Sequence, residues 1–401
     1  MRTTLYEKVF IDGFHKPSYV VATLALERAP AERDLAVAAV RTLERHPRLR
    51  SLVRTRLGVP VALVPRPAHE WLERGGLHVL ATADMHALEE KLLSAPLDLR
   101  RSMPLELYLV REPASLVVKV HHAVIDATSG FTLLHDFARI VAGLAPIDRT
   151  RPAPDPWRRT IEWITRMQLR PRLPEVSVVA SYHPAAMLDH EPVVYTQRVI
   201  PGGFARITER GRSRGATFSE LVASSLLSAM HRYNADRSPS PPAKLGLMFA
   251  RARPRSRHRE ASFSADTGVV SIPAARLGVL HDPATLRELR HAARDSRHND
   301  LALAALYVTR KLYGKSRAPS EQRAVHLTLS DVTAFGRASS RTESGLAVTD
   351  MRVLASPTSF DHAGMLVSRF ADDLRLALVA HRGAVDAEAL LAATLTNLEE
   401  S

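Results

Sequence analysis

Apolar and polar positions recur along the chain with two periods, and the switches between them predict a succession of strands and helices. Leu116 to Val120 is short, apolar and β-branched, which predicts a strand, whereas Gly130 to Val141 spaces its apolar residues as a helix does. Pro104 to Val110 alternates well enough to be a partner strand, closing a hairpin across the turn Arg111 to Ser115. Upstream, Glu7 to Leu26 mixes apolar runs with Gly13 and Pro17, which predicts strands around a turn. Pro30 to Arg45 predicts an amphipathic helix with Leu35, Ala39 and Leu43 on one stripe. His46-Pro47 ends it, because the residue before a proline disfavours helix, and Arg48 to Arg54 opens a strand. Ala87 to Ser94 predicts a short helix.

The alternation repeats further on. Val193 to Ile200, Lys244 to Arg251 and Val325 to Ser330 predict strands. Thr217-Phe218-Ser219-Glu220 is a capping box opening a helix from Leu221 to Tyr233, and Asp282-Pro283 starts a long helical region through Leu312. Leu346 to Ala355 and Gly364 to Ala380 predict either a strand and a helix or a hairpin continuing the sheet, and Asp386 to Leu398 a closing helix. Between them, Ala145 to Pro184 is broken by prolines and loaded with arginines, with Trp157 and Trp163 expected to pack against the body. The expected organisation is therefore an N-terminal lobe over 1–145, a connector over 146–184 and a C-terminal lobe over 185–401, of α+β class with mixed sheets.

Composition narrows the chemistry. A chain of 401 residues exceeds one ordinary compact core, and no stretch approaches the roughly 20 apolar residues of a membrane helix. The opening Met1 to Glu7 has no signal-peptide core, so a soluble cytoplasmic protein is expected. With no cysteine, disulfides, thiolate nucleophiles and cysteine-ligated metals are excluded, and the chemistry falls to His, Ser, Asp or Glu. The formal charge of +13, most of it arginine, attracts polyanions such as nucleic acid, coenzyme A phosphates or an acidic carrier protein; a solvated arginine-rich surface is the plainer reading of the total. Aromatic content of 5% without interleaving into the basic runs argues against nucleic acid, and no His pattern with ligand spacing suggests a metal.

His121, His122 and Asp126 stand where the apolar strand runs out toward the helix. Side chains of consecutive strand residues point to opposite faces, so the two histidines would not chelate one metal together and have different jobs. One can face a cavity as a base while the other is buried and hydrogen-bonded, and parity alone does not say which. Asp126 is close enough to fold back and order the turn. Farther on, Arg251, Arg253, Arg255, Arg257 and Arg259 alternate with other residues and would line one face if extended, as a cradle for phosphates or an acidic carrier, or as a solvated loop.

These residues resemble the condensation-domain superfamily of acyltransferases, which includes nonribosomal-peptide condensation domains, polyketide-associated acyltransferases, wax-ester synthase-like enzymes and, more distantly, chloramphenicol acetyltransferase. The resemblance is carried by Arg45-His46-Pro47-Arg48-Leu49-Arg50, by Pro96-Leu97-Asp98-Leu99 with Pro104-Leu105, by His121-His122 with Asp126 as the HHxxxD part of an HHxxxDG signature, and by Ser129-Gly130. In the second half, the Thr217 helix, the strand ending at Arg253-Pro254, and Leu329-Ser330-Asp331 continue it. Ala127 stands where the signature has glycine, and Asp331 where many relatives have asparagine.

The resemblance implies two chloramphenicol-acetyltransferase-like lobes with a tunnel at their interface, and acyl transfer from a thioester to a hydroxyl or amine. It implies His122 as general base, His121 as support, and Asp126 paired with Arg253, with Arg251 the nearby alternative. Ala127, Thr128, Ser129, Ser330 and Asp331 are candidate substrate or oxyanion contacts, and Arg251, Arg255 and Arg257 candidate contacts to phosphates or a carrier protein. The donor would be acyl-coenzyme A or a phosphopantetheinyl carrier protein, with no tightly bound cofactor and no metal. A degenerate relative that binds without turnover is the alternative, and Ala127 is its main support, since glycine alone takes positive φ freely.

Overall fold

A computed structural model of the chain describes residues 11, 18–57, 59–146, 178–179, 191–251, 266–294, 324–325, 327–333, 346–357 and 363–400. These fall into two compact units: one holds the described residues up to 146 together with 346–355, the other those of 178–251, 266–333 and 356–400. Both units are mixed α/β.

With strands numbered along the chain, the first unit contains β1 (Tyr19–Leu26), β2 (Ser51–Arg56), β3 (Val59–Pro65), β4 (Leu77–Thr82), β5 (Leu105–Glu112), β6 (Ser115–His121) and β13 (Val348–Ala355). Five of them form one sheet in the order β13-β1-β6-β5-β4, while β2 and β3 pair apart as a hairpin. The expected hairpin around the histidines is β5–β6, antiparallel, with Leu105 opposite Val120 and Val110 opposite Ser115. β6 lies between β1 and β5 and is buried along its whole length, which is why its sequence is a nearly unbroken apolar run rather than an alternation.

Helix α1 (Glu32–Arg45) buries Leu35, Ala38, Ala39, Thr42 and Leu43, as its stripe requires. It ends at His46, but Pro47–Arg50 is a 3-10 turn and not the start of a strand. Proline favours the first position of such a turn, and burial of Leu49 secures it. Helix α2 (Met85–Ser94) is capped by Asp84, whose Oδ1 accepts from His86 N at 2.9 Å and Ala87 N at 3.2 Å. Helix α3 (Ala127–Val141) begins three residues before the expected Gly130, because Asp126 supplies an N-cap.

In the second unit, a six-stranded sheet runs β10-β9-β12-β14-β15-β8, where β8 is Val193–Ile200, β9 Lys244–Arg251, β10 Asp266–Pro273, β12 Leu327–Asp331, β14 Ala363–Phe370 and β15 Asp373–His381. Gly364 to Ala380 is itself a hairpin, β14–β15, and neither a helix nor one arm of a hairpin with Leu346 to Ala355. Helices α4 (Gly203–Ser213), α5 (Phe218–Arg237), α6 (Pro283–Arg294) and α7 (Ala387–Glu400) accompany it. The Thr217–Glu220 capping box forms as the sequence predicts, and α5 is buried over most of its length. The helical region expected beyond residue 294 and most of the 146–184 connector, including Trp157 and Trp163, lie outside the described residues.

One strand differs from the expected division. Val348–Ala355, placed by the sequence reading with the 185–401 lobe, pairs antiparallel with β1 in the first sheet, Val20 opposite Ala355 and Leu24 opposite Met351. The buried carboxylate of Glu89 on α2 reinforces the graft: it accepts from Thr23 Oγ1 on β1 at 2.5 Å and pairs with Arg352 Nη2 on β13 at 3.1 Å. A strand's own sequence does not say which sheet edge it joins, so this return was not visible in the pattern.

Candidate active site on the histidine turn

β6 delivers His121 as its last residue, and His122 opens a 3-10 turn, His122–Val124, that leads to Asp126 and α3. The backbone is fixed on both sides: His121 N donates to Pro104 O at 2.9 Å and His122 N to Ser18 O at 2.8 Å.

The two imidazoles are held in different ways. His121 is 1% exposed, and its Nδ1 accepts the Ala123 N–H at 3.1 Å. Burial, reinforced by the neighbouring His122 and Lys119, pushes its pKa down to about 3, so the ring is neutral with its proton on Nε2. His122 is half-buried, and its Nδ1 lies 2.8 Å from Ile125 O. A carbonyl only accepts, so Nδ1 carries the proton, and in the neutral ring Nε2 bears the lone pair. The two rings thus differ in burial and in the backbone group that each one meets.

Asp126 is buried and serves as the N-cap of α3: its Oδ1 accepts from Ser129 N at 2.8 Å and from Ser129 Oγ at 2.6 Å. The Ser129 hydroxyl proton is therefore directed at Asp126. Ala127 and Thr128 form the first turn of α3. Ala127 sits at a helical position, and the non-glycine residues with positive φ among the described residues are Leu57, His281 and Ala371, so the alanine in place of glycine costs no backbone strain.

A polar layer that the sequence reading missed lies beside His121. Tyr19, directly opposite His121 in the sheet, meets the imidazole edge-on at 5.4 Å between centroids. Its hydroxyl accepts Leu97 N at 2.8 Å. Lys119, two residues before His121 and on the same face, donates to Ala95 O at 2.7 Å, lies 4.5 Å above the Tyr19 ring and 3.9 Å from Glu106 Oε2. Burial lowers its pKa to about 8, with Glu106 acting the other way. The segment around Pro96 is thus tied to the histidine strand through Lys119 and Tyr19. A lysine inside an apolar strand was the available signal. A second tie explains Arg45-His46: Asp136, buried on α3, accepts from Arg45 Nε at 3.3 Å and lies 3.5 Å from His46 Nε2, joining the end of α1 to the helix after the turn.

His121, His122, Asp126, Ala127, Thr128 and Ser129 share one turn of the first unit. Ser330, Asp331 and Arg251 belong to the second: Ser330 pairs with Ala250 across β12 and β9, and Arg251 ends β9. Asp331 Oδ1 accepts from Thr333 N at 3.0 Å and Thr333 Oγ1 at 2.7 Å, and its Oδ2 accepts from the Ser219 hydroxyl. Arg253, Arg255 and Arg257 lie outside the described residues, as does the pairing expected between Arg253 and Asp126. Among the described residues no three His, Asp or Glu side chains are grouped as metal ligands would be, and no helix is long and apolar enough to cross a membrane.

The chain shares its fold with the solved condensation domain of the Monacolin K polyketide synthase MokA, at 13% identity and a TM-score of 0.63 over 95% of the chain and 91% of that domain. Over 99% of its length the chain is similar to polyketide synthase associated protein 5 from Mycobacterium tuberculosis, with 15% identity, a TM-score of 0.63 and 96% of that protein covered. It is similar over 99% to the trichothecene 15-O-acetyltransferase TRI3 of Fusarium sporotrichioides, with 13% identity, a TM-score of 0.68 and 93% coverage. The X-domain from teicoplanin biosynthesis aligns over 99% of the chain at 18% identity and a TM-score of 0.61, covering 93% of that domain. No protein-family model matches the sequence. No curated protein matches it either.

Proposed function

We propose that the protein is an acyltransferase that condenses an acyl thioester with a hydroxyl or amine acceptor, with His122 as general base. The observation that carries this reading is the bond from His122 Nδ1–H to Ile125 O, which leaves the lone pair on Nε2. In the proposed reaction the acceptor O–H or N–H gives its proton to Nε2 as the nucleophile attacks the thioester carbonyl. The tetrahedral intermediate then collapses, the C–S bond breaks, and the thiolate takes the proton back from the imidazolium. A thioester reacts without a covalent enzyme intermediate, which suits a chain with no cysteine. Thr128 and Ser330 remain candidate oxyanion donors, and Arg251, Arg255 and Arg257 candidate partners for coenzyme A phosphates or an acidic carrier protein. The proteins that share the fold, with polyketide synthase and teicoplanin biosynthesis in their names, support a place in secondary metabolism.

The test is thiol release from acyl-coenzyme A and acyl-carrier donors offered with panels of alcohols and amines. Acceptor-dependent release that disappears in His122→Ala supports the reading. Saturable carrier binding with no release from any pair supports the degenerate relative instead.

A further inference from the structure

The hairpin β2–β3 ends in an unusual residue. β2 ends at Arg56 and β3 begins at its partner Val59, so two residues separate the paired strands in sequence and Leu57 is the first of them. Connections of this length favour Asn-Gly or Asp-Gly, because the first position takes positive φ, which branched or bulky side chains adopt at a cost. Leu57 occupies it with φ +50 and is 97% exposed. One side chain therefore combines an unfavourable backbone with full hydration of an isobutyl group, where a polar residue would relieve both. The surroundings have a definite character. One face of the hairpin buries Val53 and Leu63, while the other presents the pair Leu52 and Val64, the latter 40% exposed, followed by the exposed Arg54 and Arg56.

We propose that this hairpin tip is a peripheral docking element for an anionic lipid surface. A bilayer interface can bury a protruding apolar side chain without a shaped pocket, and anionic headgroups suit arginines one and three residues behind it. The formal charge of +13 acts in the same direction at longer range. This inference is independent of the reaction proposed for His122.

The experiment is co-sedimentation of the full-length protein with vesicles of phosphatidylcholine alone, and of phosphatidylcholine with phosphatidylglycerol in equal parts. The parent is expected to bind the anionic vesicles and not the neutral ones. Leu57→Asn supplies the residue the turn prefers, so its Tm should equal or exceed the parent's while binding falls about tenfold. Arg54→Gln with Arg56→Gln should weaken binding by a similar factor and flatten its salt dependence. Absence of binding by the parent, or Leu57→Asn binding as the parent does, overturns the proposal. A parent that self-associates through Leu57 and ignores vesicles overturns it in favour of a second copy as the occupant.

Discussion

His121 and His122 hold their protons on opposite nitrogens. The first receives a backbone N–H at Nδ1, and the second donates from Nδ1 to a backbone carbonyl. Two backbone groups, those of Ala123 and Ile125, thus hold adjacent residues of one type in different tautomers. Replacing His121 by Asn should preserve the acceptor near the Nδ1 position, whereas Ala removes it and leaves a cavity. Ala is expected to cost about 2–4 kcal/mol of stability, and Asn to recover about 1 kcal/mol of that. Urea denaturation of the two variants checks it, and equal loss in both would refute the acceptor role.

Asp126 separates two origins of the turn's rigidity. As an N-cap alone, Asp126→Ala loses about 1–2 kcal/mol, and Asp126→Asn, which keeps an oxygen for Ser129, stays close to the parent. Where pairing with Arg253 adds to the cap, Asn falls well below the parent, because the charge is gone. The melting temperatures of the two variants decide between them.

Lys119 makes an alkaline signature. Its folded pKa of about 8 lies below the ordinary 10.5, so the unfolded chain binds more proton there between those values and stability rises across that window. Tyr19 and Tyr108 are both raised, by burial first, and lower stability only above about pH 10, where unfolded tyrosines ionise. Lys119→Met should abolish the rise between about pH 8 and 10, measured as the urea midpoint. An unchanged rise would show that another group produces it.

The graft of β13 onto the first sheet depends on a buried charge. Arg352→Ala strands the Glu89 carboxylate and is expected to destabilise by about 3 kcal/mol, and adding Glu89→Gln should return part of it. Additive losses in a double-mutant cycle would show that the pair is not coupled.

Local chemistry was legible and long-range pairing was not. The stripe of α1, the Thr217–Glu220 capping box, the β5–β6 hairpin and the strand-to-turn position of the histidines all follow from spacing over a few residues. The 3-10 turn at Pro47 and the start of α3 at Ala127 shifted because a proline and a capping carboxylate outweigh apolar periodicity at element ends. The return of β13 to β1 and the Tyr19–Lys119 layer join residues far apart in sequence; Lys119 inside an apolar strand signals that it needs partners, but not which residues they are. The tautomers of His121 and His122 depend on which backbone groups face each ring, which only the folded turn defines.

The general-base role is tested most directly by kcat/KM for acyl transfer in the parent, His122→Ala and His121→Asn with one donor–acceptor pair. A loss of about 10²–10⁴-fold in His122→Ala, beside a much smaller loss in His121→Asn, is the predicted result. Transfer by His122→Ala at the parental rate would contradict it.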